Sequence, residues 1–205
     1  GGEGISEIEL AAAADSVSRA AGFGGQIMLR KWPMNCDRVV IAAGHSGAVP
    51  TYFDSAVGGT GPHSFASLGA GFHRIKAGEP VLVDIVHCHR GYVSDCTRMF
   101  SVGPLDQEWT ERLEAMKEIS DKVVTELARG ETCEMAYESG VAIARERGVS
   151  GNLMGMPPDQ AQFLGHSIGL HLDETPVVAR GFTKPLQIGG TMAIEPKVIY
   201  SDGAI

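Results

Sequence analysis

Four residues in separate apolar, strand-like stretches carry the side chains best suited to chemistry: Asp84, Asp95, His166 and Glu195. An unpaired carboxylate inside an apolar strand is costly to bury, so each acid calls for a partner. Asp84 lies in a β-branched run over 81–87 and Asp95 in a second strand-like run over 92–100. Cys88-His89-Arg90-Gly91 between them reads as a tight turn, which makes the pair a β-hairpin. A turn centred between His89 and Arg90 sets Asp84 directly opposite Asp95, with Cβ atoms about 4.5–5.5 Å apart on one face. Leu82, Val86, Val93 and Thr97 share that face. Two acids so placed either share a proton, as a dyad does, or share cations. The plainer alternative is a slipped register that turns one of them to water.

His166 stands between two glycines in Gly165-His166-Ser167-Ile168-Gly169, and Glu195 sits mid-strand in Ile194-Glu195-Pro196-Lys197. Read blandly, the first is a satisfied core histidine and the second half of a Glu195–Lys197 surface pair. Taken together, three carboxylates and one imidazole suit Mn, Co, Fe or Zn better than a structural zinc site, which would use cysteines. Carboxylates able to bridge point to a two-metal hydrolytic centre, which activates water and polarises a carbonyl. His63, in Gly61-Pro62-His63-Ser64, adds a loop imidazole whose signal is weak by itself.

The elements that must position these groups follow from pattern. Ser6 with Glu9 three residues later forms a capping-box signature for a first helix, which Gly22 ends. Strands are expected over 26–31 and 38–43, then a long Gly/Ser/Thr/Pro loop over 44–71, of a length usually functional or disordered. Apolar residues at helical spacing predict helices over 104–129 and 131–147, with Val124, Met135 and Ala142 among the inward positions. The last strands are expected at 177–179 and 191–200. The order gives an α+β fold with a curved antiparallel sheet. The residues after the turn at Ser201-Asp202 read as apolar and leading nowhere.

Composition excludes more than it assigns. The 205 residues carry 43% hydrophobic and 20% charged side chains, ordinary for one globular domain. A net charge of −8 without a Lys/Arg cluster argues against a nucleic-acid partner. Cys36, Cys88, Cys96 and Cys133 form no CxxC pair and read as reduced thiols, the usage of a cytoplasmic protein. No run reaches membrane length, so no membrane partner is expected.

The ordered set Asp84, then Ser94-Asp95-Cys96-Thr97-Arg98, then Gly165-His166-Ser167-Ile168-Gly169, then Ile194-Glu195-Pro196 resembles the pita-bread metallopeptidases. That family includes methionine aminopeptidase, aminopeptidase P and Xaa-Pro dipeptidase, and Ser-Asp-x-Thr-Arg looks more like the Xaa-Pro enzymes. The resemblance implies a pita-bread catalytic domain over 1–205, truncated at both ends, without the N-terminal domain and the last metal-ligand segment. It implies two divalent ions, with Asp84, Asp95, His166 and Glu195 as ligands and the second site incomplete. It implies a peptide substrate containing proline, hydrolysed with Glu195 as acceptor of the water proton. His63 would contact the substrate or a proton in transit, Thr97 and Arg98 would act as supports, and a homodimer is allowed. One departure stands out: where the family carries a second, substrate-touching histidine, this chain has Asp173, with His171 two residues earlier as its stand-in. Two other readings share the fold: a creatinase-like, metal-independent C–N hydrolase, and a non-catalytic module that binds peptide or protein.

Overall fold

The structure is a computed structural model that describes residues 2–30, 39–51 and 55–205. Ser6 caps helix α1 (Glu7–Ala20) as a full capping box: its hydroxyl accepts from the Glu9 amide, and the Glu9 carboxylate accepts from the Ser6 amide at 2.9 Å. Glu9 is consequently held below the usual carboxylate range, first by the Ser6 hydroxyl and then by the Ser6 amide. Strand β1 (Val39–Ala43) follows, and the expected loop at 44–71 opens with a short 3-10 turn at Gly44–Ala48. Of the strand expected over 26–31, residues 26–30 are irregular, and Lys31 and Arg38 lie outside the described residues. Ile27 is nonetheless packed inward, and the Met28 carbonyl accepts from the Leu172 amide at 2.7 Å.

The central hairpin is β2 (Val81–His89) and β3 (Tyr92–Phe100). Its register differs from the expectation: Asp84 faces Thr97 and Asp95 faces Val86. The strands run up to a two-residue turn, Arg90-Gly91, both with positive φ (53° and 89°). Positive φ at both positions is what a type I′ hairpin turn requires, and its twist matches the flanking strands, which a type I or II turn would splay. Moving the turn centre by one residue moves the register by two, so both acids keep the same face. They become diagonal neighbours, about 7–8 Å apart by strand geometry, instead of directly opposed. The two acids remain close enough for Asp95 to raise Asp84, as carboxylates that share one site do.

β1, β2 and β3 form one antiparallel sheet in that order. One side of it, with Val39, Ile41, Ala43, Val81 and Val83, packs under α1; the other, with Ala42 and Leu82, faces the helices α2 (Gln107–Ala128) and α3 (Cys133–Glu146). β1 and the first half of β2 are buried on both faces, hence their nearly continuous apolar runs. Asp84 shares the α2/α3 side with Leu82 through strand alternation. Ile119 and Val123 of α2 are fully buried there, and truncating Ile119 to Ala costs about 2–5 kcal/mol. The α3 face is rotated from the expected one: Cys133, Ala136, Tyr137, Gly140, Val141 and Ala144 are buried, whereas Met135 and Ala142 are exposed. Val124 of α2 is half-exposed as well.

A second sheet, in the order β5-β4-β6, contains β4 (Gly165–Ser167), β5 (Glu174–Val177) and β6 (Met192–Ile194). The strand expected at 177–179 is thus shifted toward the N-terminus, and the one expected over 191–200 breaks at Glu195-Pro196-Lys197. Proline withdraws an amide from the ladder at that break. The Val93 amide donates to the Gly169 carbonyl at 2.7 Å and couples the central hairpin to the segment after β4. The final residues do not trail away: β7 (Ile199–Tyr200) and β8 (Gly203–Ala204) close a hairpin whose Ala204 and Ile205 are buried. Trp109 meets Tyr200 edge to face at 5.9 Å, and the Arg112 guanidinium lies 3.5 Å from the Tyr200 ring centroid.

Candidate metal centre

The two sheets deliver their acids to one place. β3 carries Asp95, β4 carries His166, and Glu195 follows β6 directly. β4 and β6 pair closely because Gly165 has no side chain: a Cβ there would run into the Ala193 carbonyl oxygen. The Glu195 amide then donates to the Leu164 carbonyl at 2.9 Å, which fixes the carboxylate beside the neighbouring histidine. His166 Nε2 lies 3.2 Å from Glu195 Oε1 and 3.6 Å from Asp95 Oδ2. One donor atom from each of Asp95, His166 and Glu195 falls within 4.8 Å of the others.

The opposite imidazole nitrogen, Nδ1, is 3.1 Å from the Ser167 carbonyl oxygen. A carbonyl only accepts, so Nδ1 carries a proton and Nε2 is the nitrogen presented to the carboxylates, the tautomer a metal ligand needs. Burial works against charging this imidazole, but hydrogen bonds to Asp95 and Glu195 outweigh it and lift His166 to about 10 without an ion.

Lys197 is the residue that sequence reasoning left out of the site, naming it only in the plainer alternative of a surface pair. It is 2% exposed, and its ammonium pairs with Glu195 Oε2 and stands 3.6 Å from Asp84 Oδ2. The signal was present: residues two apart on an extended chain share a face, so a buried Glu195 draws Lys197 inward with it. Burial raises the Glu195 carboxyl, yet the Lys197 charge and the His166 contacts outweigh it and bring it down to about 2. Burial likewise opposes the Lys197 ammonium, and Glu195 and Asp84 overcome it, holding the lysine charged. Asp84 is pushed up to about 7, first by burial, which Lys197 partly offsets and the nearby Asp95 and Glu195 reinforce. Its Oδ1 is buried without a hydrogen-bond partner among the described residues.

This donor set fits a divalent ion: two carboxylates and a correctly oriented imidazole converge, and a buried carboxylate oxygen beside them has no partner. A cavity of about 600 Å³ between β3 and α2 reaches the group and is lined by Asp95, Thr97, Met116, Glu195 and Lys197. A larger one, about 710 Å³, borders Ser167 and Met192 but none of the four acidic or imidazole groups.

The outer candidates are not drawn into the cluster by any described contact. His63 is exposed, and its Nδ1 accepts from the Ala66 amide at 3.2 Å within its own turn. His171 is held to Glu174, 3.4 Å from Nδ1 to Oε1. Asp173 accepts from the Arg30 amide at 2.8 Å and clips that loop down. Arg98 turns back on the Thr97 carbonyl at 2.7 Å. Cys88 is half-buried, Cys96 exposed and Cys133 buried, all as free thiols; Cys36 lies outside the described residues.

Comparison with known proteins agrees with this geometry. The chain is 26% identical over 159 residues to an Xaa-Pro dipeptidase of Pyrococcus furiosus, covering 78% of this chain and 39% of that protein. It is 25% identical over 162 residues to a protein of Mycobacterium tuberculosis named probable dipeptidase PepE, covering 78% and 40%. The chain therefore spans about 40% of the length of the curated relatives it matches. The crystal structure of an X-Pro aminopeptidase from Thermotoga maritima superposes with a TM-score of 0.76 at 21% identity, over 99% of this chain and 49% of that one. The fold is the pita-bread α+β fold. No helix among the described residues is long and apolar enough to cross a membrane. The model of metallopeptidase family M24 matches residues 2–205, and with that match the converging Asp95, His166 and Glu195 have their context: the chain belongs to metallopeptidase family M24.

Proposed function

We propose that this chain forms the catalytic part of a divalent-metal-dependent peptidase acting on short peptides at the bond before proline. The observation that carries the reading is the convergence of Asp95, His166 and Glu195 on one point inside an M24 chain. The preference for proline rests on the relative named an Xaa-Pro dipeptidase and on Ser94-Asp95-Cys96-Thr97-Arg98. Two ions, Mn or Co foremost, are the family-based expectation. The described ligands form one three-residue position, with Asp84 close by.

A bound divalent ion supplies Lewis acidity toward a carbonyl and lowers the pKa of water. The residues do the rest. His166, fixed by the Ser167 carbonyl, presents Nε2 without rotating. Lys197 keeps Glu195 ionised, which suits that side chain to ligation. A carboxylate of the cluster takes the proton of the attacking water. Thr97, Met99, Leu113 and Met116 form part of the wall of the 600 Å³ cavity beside the cluster.

The test is hydrolysis of Leu-Pro against Leu-Ala by protein stripped with chelator and reloaded with Mn²⁺ or Co²⁺. Metal-restored cleavage of Leu-Pro, at least about tenfold faster than Leu-Ala, is expected. Equal cleavage of both removes the proline preference, and binding of Mn²⁺ without any cleavage removes the peptidase reading in favour of a binding module.

A further inference from the structure

Glu195 uses its two oxygens differently. Oε1 is turned to His166 and, through it, to Asp95; Oε2 is paired with the Lys197 ammonium, which also approaches Asp84. The cluster therefore has two positions where positive charge is favoured, joined by one carboxylate. The first is framed by Asp95, His166 and Glu195 and, among the described residues, has no ion pair with a cationic side chain other than the imidazole itself. The second, between Asp84 and Glu195, contains the end of Lys197.

The lysine is built into that place. The Met154 amide donates to the Lys197 carbonyl at 2.8 Å, and the Lys197 amide lies 3.3 Å from Met154 Sδ. Leu153 and Val198 bridge alongside, and Val198 is fully buried. With backbone fixed on both sides and the side chain 3% exposed, the ammonium is held in the acid cluster and not in solvent. An ammonium offers three donors and no acceptor, so it takes up the same carboxylate oxygens an ion would take. It is neither a Lewis acid nor a generator of nucleophilic water.

We propose that Lys197 is a built-in cation: its ammonium fills the position between Asp84 and Glu195, so the centre takes up one divalent ion, at Asp95, His166 and Glu195, instead of two. This rests on the metallopeptidase reading and narrows it. An ion held by Asp95, His166 and Glu195 would supply the Lewis acidity, while the lysine neutralises the acids that a second ion would neutralise.

The test is ions bound per chain, measured by elemental analysis and titration calorimetry with Mn²⁺, for the unaltered protein and for Lys197→Gly and Lys197→Ala. One ion per chain is expected in the unaltered protein and two in the variants, with circular dichroism confirming that they fold. Equal numbers in all three overturn the inference. If that number is zero, the metal reading falls with it; if it is one or two, only the role of Lys197 falls. A crystal of the unaltered protein soaked in Mn²⁺ decides the matter without a variant. Anomalous signal only at Asp95, His166 and Glu195 supports the inference. A second peak beside Asp84 with Lys197 displaced overturns it.

Discussion

Two buried carboxylates show how differently this chain treats the same chemical group. Glu7, at the start of α1, is fully buried, and its donors are all local backbone and hydroxyl groups. Oε1 accepts from the Ala43 amide at 2.8 Å and from the Ser46 hydroxyl, and Oε2 from the Gly71 amide at 2.9 Å. Asp84, on the other side of the same sheet, has one oxygen facing an ammonium and the other without a hydrogen-bond donor among the described residues. Glu7 is closed: α1, β1 and the loop ending at Gly71 are tied by an acid both of whose oxygens are hydrogen-bonded. The Asp84 cluster is open, with more acceptors than the protein itself supplies donors for. A buried acid that is fully hydrogen-bonded is architecture; one left short of donors is a place for something else.

The contrast is broken most severely at His166. Replacing it with Ala is expected to weaken Mn²⁺ binding by more than about 100-fold, beyond what loss of an outer partner costs, and to abolish Leu-Pro cleavage. Unchanged Mn²⁺ titration would remove the ligand role. Next comes Lys197→Met, which leaves two buried acids without their cation. In chelator it is expected to lower stability by about 3–5 kcal/mol in urea unfolding, and a loss below about 1 kcal/mol would return Lys197 to the surface pair that the sequence suggests.

Glu7→Gln sharpens the other half. An amide puts an N–H where an amide donor already points, so about 1–3 kcal/mol should be lost, with Mn²⁺ affinity per folded molecule unchanged. An altered affinity would show that the two sites are not separate.

The smallest effect is a pH dependence of the open site. His166 goes from 6.5 to about 10 on folding, so its contribution is complete below pH 6.5 and lost as pH rises toward 10. Asp84, raised from 3.8 to about 7, loses its contribution in the same direction, between about pH 4 and 7. Glu195, lowered from 4.5 to about 2, contributes above 4.5 and loses this on acidification. The melting temperature in chelator should accordingly fall by a few degrees from pH 6.5 to 10, and the slope should disappear in His166→Gln. A slope that survives the substitution assigns the titration elsewhere.

The sequence alone determined the parts whose cause is local. Ser6 and Glu9 announce their capping box, the periodicity of α2 announces its core face, and alternation along the hairpin puts Asp84 and Asp95 on one side whichever of the two registers is taken. Order and spacing of four acidic and imidazole residues were enough for the family. Tertiary structure decided the rest. A short-range pattern cannot say which of two adjacent dipeptides makes the turn, because the choice depends on the twist of the whole hairpin. Nor could it see that Ala204 and Ile205 pack under α2, that α3 is rotated to bury Ala136 and Ala144, or that Glu7 is sealed by donors from Ala43, Ser46 and Gly71. Lys197 is the sharpest case. Whether a lysine two residues from a glutamate reaches water or an acid cluster depends on what lies across from it. Only the approach of β2 to the end of β6, far apart in the chain, supplies Asp84 as the second anion that makes its burial affordable.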